Sequence, residues 1–241
     1  MSASERPSER RGATRTAVVW EALREVLDQP RDVLDIGGGT GGFAVRVAEL
    51  GHRVSVIDPS PDALAALGRR AAESGVADRV TGQQGDVSSL LEVVPPASVD
   101  VVLCHGVLEY VDDPAAALAT IGEVLRPGGT LSLLVAQRHA AVVARAMAGH
   151  FAQARALLDG SDPVGKVGRR FTHDEVGTLL EQAGFTTRSV HGIRVFADLV
   201  PGSLLDLEPG STQALVELEQ AVAARPEYLP LATQVHLLAQ R

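Results

Sequence analysis

Short apolar runs alternate with segments of helical spacing along most of the chain. Several runs consist almost wholly of valine, leucine and isoleucine, which is typical of parallel strands buried on both faces. The strands that this pattern predicts lie at residues 32–36, 53–57, 79–83, 99–103, 130–136, 185–190 and 232–239. Because strands and helices alternate over short connections, the pattern indicates an α/β fold with helices on both faces of a parallel sheet.

Local signals mark where several helices begin. In Ser60-Pro61 and in Asp113-Pro114, a capping side chain precedes a first-turn proline. Thr172 and Glu175 have the spacing of a capping box, which predicts that a helix starts there. Each signal follows a predicted strand or loop, so the helices fall between the strands as an α/β fold requires.

The chain divides into three regions by the clarity of this pattern. Residues 1–12 are rich in serine, arginine and glutamate, and they predict a disordered tail rather than a secretory signal. Residues 13–241 predict a single domain. Within that domain the pattern loosens at about residues 139–170, which we interpret as a cap or insertion over the open end of the sheet.

A glycine-rich loop follows the first predicted strand. Residues 33–42 read VLDIGGGTGG, with five glycines in the last six positions. Such a loop brings backbone N–H groups and a helix N-terminus to a ligand without intervening Cβ atoms. The second strand ends at Asp58, where a ribose diol binds in sheets of this kind. Asp35 would repel a pyrophosphate, so it favours a nucleotide-like cofactor that carries an ammonium and a sulfonium.

The composition limits which partners and which cellular compartment we expect for this site. The chain has 241 residues and a formal net charge of −8, which disfavours broad nonspecific binding of nucleic acid. Local basic groups are present at Lys166, Arg169 and Arg170, although pattern alone favours a solvated surface there. No uncharged apolar run has the length of a membrane span, and we expect neither a membrane partner nor a metal. The single cysteine, Cys104, excludes an internal disulfide and suits the cytoplasm.

Four motifs in order resemble those of class I S-adenosylmethionine (SAM) methyltransferases. They are the glycine loop, Asp58, the sequence GDV at residues 85–87, and the sequence LRPGGTL at residues 125–131. The resemblance implies a Rossmann-like, seven-stranded sheet that is mostly parallel with an antiparallel last strand, together with a helical cap. It also implies that Asp58 binds the ribose hydroxyls, and that the Asp86 side chain and the Val87 N–H contact adenine.

The cofactor expected from this resemblance is SAM, with S-adenosylhomocysteine as the product. The candidate cofactor-binding residues are Arg15, Asp35, Gly37, Gly38, Gly39, Asp58, Pro59, Asp86, Val87 and Cys104. Arg15 either binds the methionine carboxylate of SAM or belongs to the charged tail. Cys104 is interpreted as a small buried residue at a strand end, not as a nucleophile.

A closer resemblance covers most of the chain and concerns the bacterial tRNA wobble-uridine 5-carboxymethoxyuridine methyltransferases. It is carried by VLCHGVLEYV at residues 102–111, by GIRVF at residues 192–196, and by the segment from Glu217-Leu218-Glu219 to Tyr228. Those enzymes esterify a carboxylate on a wobble uridine. The chain departs from them after Phe196, where Ala-Asp-Leu replaces a histidine and an aromatic residue, and in its shorter basic loop.

This closer resemblance implies a tRNA partner and a carboxylate acceptor. Arg194 would hold that carboxylate by two parallel hydrogen bonds, whereas spacing alone makes it a surface arginine. A carboxylate is ionised at neutral pH and needs no general base. A hydroxyl acceptor would need one, and His105 after the fourth strand is then a candidate. The other interpretation of His105 is a wall residue of the cofactor pocket.

Other functions stay open at this level. A small-molecule carboxyl or hydroxyl O-methyltransferase would share the cofactor site and take a small carboxylate-bearing substrate instead of tRNA. A non-catalytic protein that binds SAM or S-adenosylhomocysteine would share the site as well. An NAD-dependent oxidoreductase is disfavoured by Asp35 and by the LRPGG turn. The sequence leaves the oligomeric state open.

Overall fold

A computed structural model describes residues 16–29, 31–160, 168–201, 204 and 210–241. Its strands are β1 (Asp32–Ile36), β2 (Arg53–Asp58), β3 (Val80–Gln84), β4 (Val99–His105), β5 (Leu125–Ala136), β6 (Thr186–Ile193) and β7 (Gln234–Gln240). Its helices are α1 (16–23), α2 (Ala44–Glu49), α3 (Pro61–Glu73), α4 (Leu90–Val93), α5 (Pro114–Val124), α6 (Arg138–Met147), α7 (Phe151–Leu158), α8 (His173–Gln182) and α9 (Ser211–Val222). Two 3₁₀ segments, Val87–Ser89 and Pro226–Leu231, complete the described elements.

The strands form one seven-stranded sheet in the order β3-β2-β1-β4-β5-β7-β6. The pairs β1–β2, β1–β4, β2–β3 and β4–β5 are all parallel. β7 runs the other way, since Gln137 beyond the end of β5 pairs with Thr233 before β7, and Gly129 near the start of β5 pairs with Arg241 after it. The predicted fold class, a mostly parallel α/β sheet with an antiparallel last strand, is therefore confirmed.

β5 begins earlier than the sequence predicts. The LRPGG segment belongs to the strand, whose register against β4 shifts between Val99 and Val101. A Cβ atom at Gly129 would lie 2.9 Å from the Arg126 carbonyl oxygen and 3.0 Å from that of Asp100. The glycine thus lets two backbone segments approach closely, and the predicted turn is an irregularity inside a strand.

The predicted helix starts are confirmed by their hydrogen bonds. Ser60 Oγ accepts from the Ala63 N–H at 3.2 Å, and Asp113 Oδ1 accepts from two N–H groups of the first turn of α5. At the start of α8, the Thr172 N–H donates to Glu175 Oε2 at 2.8 Å, and the Glu175 N–H donates to Thr172 Oγ1 at 3.2 Å. These bonds satisfy helix N–H groups that have no intrahelical partner.

The chain forms two compact units. The first unit consists of Glu25–Leu134, Val176–Arg188 and Leu237–Arg241. Its core is the centre of the sheet, where Leu34, Val56 and Leu103 are fully buried. Burial of each such side chain stabilises the fold by roughly 1.5–3 kcal/mol.

The second unit consists of the described residues up to Arg24, of Val135–Glu175 and of Ser189–His236. It contains the region predicted as a cap, where α6 and α7 pack against each other. Its own apolar cluster includes Val195, Val222 and Ala232. The single-domain assignment of residues 13–241 stays a prediction, and the predicted tail, residues 1–12, lies outside the described residues.

Candidate active site

The glycine loop lies at the carboxyl ends of β1 and β2 in the first unit. The Gly37 N–H donates to the Ile57 carbonyl oxygen at 2.7 Å, which ties the loop to β2. Gly37 has φ +69°, and a Cβ atom there would lie 2.5 Å from Val107 Cγ2. Both the backbone angle and the close approach require glycine at this position.

Asp58 connects this loop to the next one. Its Oδ2 accepts from the Gly39 N–H at 2.8 Å, and its Oδ1 accepts from the Ser60 N–H at 2.9 Å. The side chain is only 7% exposed, so these bonds fix its position. Each carboxylate oxygen has a second lone pair, and the geometry is therefore compatible with the predicted contacts to ribose hydroxyls.

Asp86 occupies the corresponding place after β3. Its Oδ1 accepts from the Ser88 N–H at 2.8 Å and from the Ser88 hydroxyl at 2.5 Å, which caps the short 3₁₀ segment. The pKa of Asp86 lies below its ordinary value, first because the Ser88 hydroxyl donates to it and then because the Ser89 N–H does. Asp86 is therefore an ionised hydrogen-bond acceptor at neutral pH. Its Oδ1 forms the cap, and its second oxygen, Oδ2, takes no part in it.

A cavity of about 700 Å³ opens beside these residues. Gly37, Asp58, Pro59, Asp86 and Val87 line one side of it, so five of the predicted cofactor residues come together. Cofactor pockets commonly have volumes in the range of about 300–1,000 Å³. Two carboxylates and a glycine-rich loop at the carboxyl ends of adjacent strands are compatible with a nucleoside-containing cofactor such as SAM.

The other predicted cofactor residues lie elsewhere. Among the described residues that line the cavity, Asp35, Gly38, Gly39 and Cys104 are absent. Asp35 is 4% exposed and lies directly beneath the loop, because a Cβ atom at Gly38 would be 2.6 Å from its Oδ2. Arg15 lies outside the described residues. The contacts predicted for all of them with the cofactor stay predictions.

Two buried carboxylates accompany Cys104. Burial first, and then the negative charges of Glu109 and Asp35, raise the pKa of the Cys104 thiol to about 12. The thiol is thus neutral and unreactive, in agreement with the interpretation of Cys104 as a structural residue. Glu109 is 4% exposed, like Asp35. The negative potential of this pair suits a cationic ammonium or sulfonium group nearby.

The opposite wall of the cavity was not predicted as a cofactor surface. It consists of residues after β4 and on α5: Gly106, Val107, Tyr110, Val111, Asp112, Asp113, Ala116, Ala117 and Thr120. Tyr110 is 63% exposed, so its side chain lies at the surface of this wall and not in the core. The signal that would have located this wall is its position after a strand, at the carboxyl edge of the sheet.

His105 is held by neighbours within the first unit. Its Nε2 lies 2.8 Å from Ser132 Oγ on β5, and its ring meets the Phe43 ring edge-on at a centroid distance of 5.1 Å. The described residues that line the cavity do not include it. These contacts orient the ring, and the role of His105 as a base or as a wall residue stays a prediction.

Arg194 belongs to the second unit, directly after β6. Its backbone has φ +57°, the left-handed region that non-glycine residues rarely adopt. Its Nε lies 3.4 Å from Asp198 Oδ2, and its side chain is 22% exposed. Its carbonyl oxygen accepts from Thr233 Oγ1 at 3.1 Å. The guanidinium therefore lies beside a carboxylate and is mostly shielded from solvent.

Metal binding by a side-chain cluster and membrane crossing by a helix each depend on features that the described part of the chain lacks. Its residues include no group of three or more His, Cys, Asp or Glu side chains arranged to hold a metal ion. None of its helices combines the length and the hydrophobicity that crossing a membrane requires.

The sequence and fold match known methyltransferases. A family model described as "Methyltransferase domain" matches residues 34–131. The tRNA 5-carboxymethoxyuridine methyltransferase of Escherichia coli K12 is 33% identical over an alignment of 244 positions, which covers 96% of this chain and 89% of that protein. The ubiquinone biosynthesis O-methyltransferase of Xanthomonas campestris is 36% identical over 142 residues, or 59% of this chain and 58% of its own length.

A solved structure agrees with the fold. It is the Burkholderia thailandensis 1,6-didemethyltoxoflavin-N1-methyltransferase with bound 1,6-didemethyltoxoflavin and S-adenosylhomocysteine, with a TM-score of 0.58 and 23% identity over 96% of this chain and 79% of that one. The chain belongs to the class I SAM-dependent methyltransferases, and its cofactor is SAM. Within that class it is close to the tRNA 5-carboxymethoxyuridine methyltransferase group.

Proposed function

We propose that the protein methylates the carboxylate of 5-carboxymethoxyuridine at the wobble position of tRNA. The observation that carries this proposal is the match to the Escherichia coli enzyme, which extends over 96% of the chain and thus over both units. Matches confined to the SAM-binding region would say little about the acceptor, because many methyltransferases share that region.

The chemistry of a carboxylate acceptor agrees with the site. When bound, SAM supplies a methyl group that a carboxylate oxygen takes with its lone pair, while the carbon–sulfur electron pair stays on sulfur and S-adenosylhomocysteine forms. An ionised carboxylate needs no proton removed, so the chain needs only to bind and align it.

The cofactor is held, in this proposal, by residues of the first unit together with Arg15, which lies outside the described residues. Asp58 binds the ribose hydroxyls, and Asp86 and Val87 bind adenine. Gly37, Gly38, Gly39 and Pro59 give the backbone path, while Asp35 contributes negative charge from beneath the loop and Cys104 packs behind it. Arg15 binds the methionine carboxylate. Support comes from the cavity that five of these residues line.

Arg194 binds the acceptor carboxylate in this proposal. Its Nε faces Asp198, and a carboxylate takes two parallel hydrogen bonds from a guanidinium edge. Lysine keeps the charge but cannot form this bidentate pair. We therefore expect Arg194→Lys to lower kcat/KM for the acceptor by roughly tenfold or more, the equivalent of about 1.4 kcal/mol, with an unchanged Kd for SAM.

The direct test is incubation with SAM and tRNA that contains 5-carboxymethoxyuridine, followed by mass spectrometry of the nucleosides. We expect the methyl ester of that nucleoside to form, and to form in proportion to enzyme. tRNA without the carboxymethoxy group is the matched control. The absence of ester in the first sample would contradict the tRNA proposal without affecting the assignment as a methyltransferase.

A second candidate is a carboxyl or hydroxyl O-methyltransferase that acts on a small molecule. The net charge of −8 favours it, because tRNA binding gains from positive charge, and so does the similarity to a ubiquinone biosynthesis O-methyltransferase. An acceptor panel of small carboxylic acids and phenols, assayed for S-adenosylhomocysteine release, separates the two candidates. Turnover of a panel member alone would favour this second function.

A further inference from the structure

A carboxylate is fully buried in the second unit, where the proposed function does not use it. Glu219 lies on α9 and has no exposed surface. Its Oε2 accepts from the Val195 N–H at 2.8 Å, while its Oε1 accepts from the Phe196 N–H at 2.9 Å and the Ala197 N–H at 2.8 Å. Three consecutive backbone amides thus converge on one side chain, as in the backbone nests that bind anions.

The three amides directly follow Arg194. That residue has the left-handed φ of +57°, which costs a side-chain-bearing residue energy and persists only where the surroundings fix it. Thr233 fixes it from one side, since its N–H and its hydroxyl both donate to the Arg194 carbonyl oxygen, at 3.3 and 3.1 Å. Glu219 fixes the residues that follow. The turn is therefore held on both flanks of the strained residue.

Packing alone does not explain a charge at this position. The other buried residues of α9 are Leu215 and Val222, and Val222 joins an apolar cluster with Val195 and Ala232. A buried carboxylate loses its hydration, so an apolar residue of similar size commonly stabilises such a place as well or better. What the carboxylate adds is a defined backbone conformation, because its hydrogen bonds form only when the three amides point the same way.

We propose that Glu219 is a positioning residue that holds Arg194 in its left-handed conformation and so sets the direction of the guanidinium. This inference rests on the proposed function only in assigning the acceptor carboxylate to Arg194. The conformational part stands on the hydrogen bonds of the second unit and is testable without any substrate.

The first test is the crystal structure of Glu219→Gln. The amide group of glutamine offers a donor where the carboxylate offers an acceptor, so one or more of the three backbone bonds is lost. We expect Arg194 to leave the left-handed region. A matched control is Glu217→Gln on the same helix, which is exposed and bonds to Gln213 instead. An unchanged Arg194 backbone in the Glu219 variant would overturn the proposal, whatever the acceptor is.

The second test measures kinetics with the carboxymethoxyuridine tRNA. We expect Glu219→Gln to raise KM for the acceptor by roughly tenfold with little change in the Kd for SAM, while Glu217→Gln changes neither. In a double-mutant cycle with Arg194→Lys, the two losses should not add, because Glu219 acts through Arg194. Additive losses would show a separate structural role and would overturn the proposal.

Two possible outcomes of these tests call for a further measurement: a variant that does not fold, and a wild-type protein that makes no ester. If Glu219→Gln does not fold, Glu219→Asp keeps the buried charge and shortens its reach, and the same displacement of Arg194 is expected from it. If wild-type protein makes no ester on tRNA, the proposed function fails, and the crystal structure of the variant still decides whether Glu219 holds Arg194.

Discussion

At the scale of single residues, the proposed cofactor site depends on carboxylates that have backbone partners. Asp58 accepts two N–H groups, and Asp86 caps the segment that follows it. Such carboxylates are held in position by the backbone N–H groups that donate to them. The site is therefore formed before the ligand arrives, which lowers the entropic cost of binding.

Replacement of Asp58 tests this arrangement. Asp58→Ala removes a ligand group and releases Gly39 and Ser60, so we expect the Kd for SAM to rise by roughly tenfold or more. Isothermal titration calorimetry measures it directly. Asp62→Ala is the matched control, because Asp62 is an exposed residue of the neighbouring helix. Equal affinities for wild type and Asp58→Ala would contradict the ribose assignment.

The buried thiol predicts a dependence of stability on high pH. The pKa of Cys104 rises from 9.0 to about 12 in the folded state, so folding favours the protonated thiol. Its contribution is complete below pH 9.0 and is lost as the pH rises toward 12, because only the unfolded chain then releases the proton.

Comparison with Cys104→Ala isolates this contribution. Above about pH 9 the free energy of unfolding of wild type should fall faster than that of the variant, as measured by urea titration. Parallel curves for the two proteins would contradict the raised pKa.

At the scale of elements, the glycine loop is held in place by the strands that flank it. Loop residues are held by Ile57 and Asp58 of β2, and their path leaves no room for a side chain beside Val107. The loop after β4 therefore packs on the loop after β1, and together they bound the cavity. A change in either loop alters the cavity shape.

Gly37→Ala should disturb both loops. The new methyl would meet Val107 at 2.5 Å with φ +69°, so we expect a stability loss of about 1–3 kcal/mol and weaker SAM binding. Gly42→Ala is the control, because its Cβ would meet only Arg70 Nη1 at 3.7 Å. Thermal unfolding with and without SAM measures both effects. Equal behaviour of the two variants would refute the steric argument.

An ion-pair network joins β1 to β5 at the opposite end of the sheet from the cavity. Arg126 contacts Asp100 at 2.6 Å and Asp32 at 3.0 Å. The pKa of Asp32 is lowered, first by a hydrogen bond from Arg53 and then by one from Arg126. Burial raises the pKa of Asp100, but the hydrogen bonds from Arg126 and from the Asp32 N–H outweigh it.

Acid should therefore weaken this network. Folding lowers the pKa of both carboxyl groups. The network therefore stabilises the protein above pH 3.8, the ordinary pKa of these groups, and this contribution is lost as the pH falls through their lowered pKa values in the folded state. We expect Arg126→Met to be less stable than wild type at pH 7 and the difference to shrink below pH 3.8. Arg24→Met, at an exposed pair, is the control. A difference that does not change with pH would contradict this account.

At the scale of the whole molecule, local sequence signals predicted the sheet and one wall of the cavity. Apolar runs located most of the strands, and capping residues such as Ser60 and Thr172 located helix starts, because these signals act within a few residues. The wall that contains Tyr110 was not predicted as a cofactor surface, since it depends on the path of a loop. Nothing local marks Glu219 either, because its partners lie more than twenty residues away in the chain.

The position of β7 between β5 and β6 has a consequence for the order of folding. β6 precedes β7 in the chain, yet it joins the sheet only through β7. A pairing that needs such a distant partner is slow, because the loop must close before any contact forms. The parallel strands β1 to β5 can assemble earlier, whereas β6 can join the sheet only after β7 has paired with β5.

Insertion of β7 is thus the expected slow step of refolding. Leu237 is buried in that strand, so Leu237→Ala should slow refolding as well as destabilise the protein, by about 2–5 kcal/mol. Stopped-flow fluorescence of Trp20 or circular dichroism follows the rate. A variant that unfolds faster but refolds at the wild-type rate would place the slow step before the insertion of β7, and β5 would then be an unpaired edge that favours aggregation until β7 pairs with it.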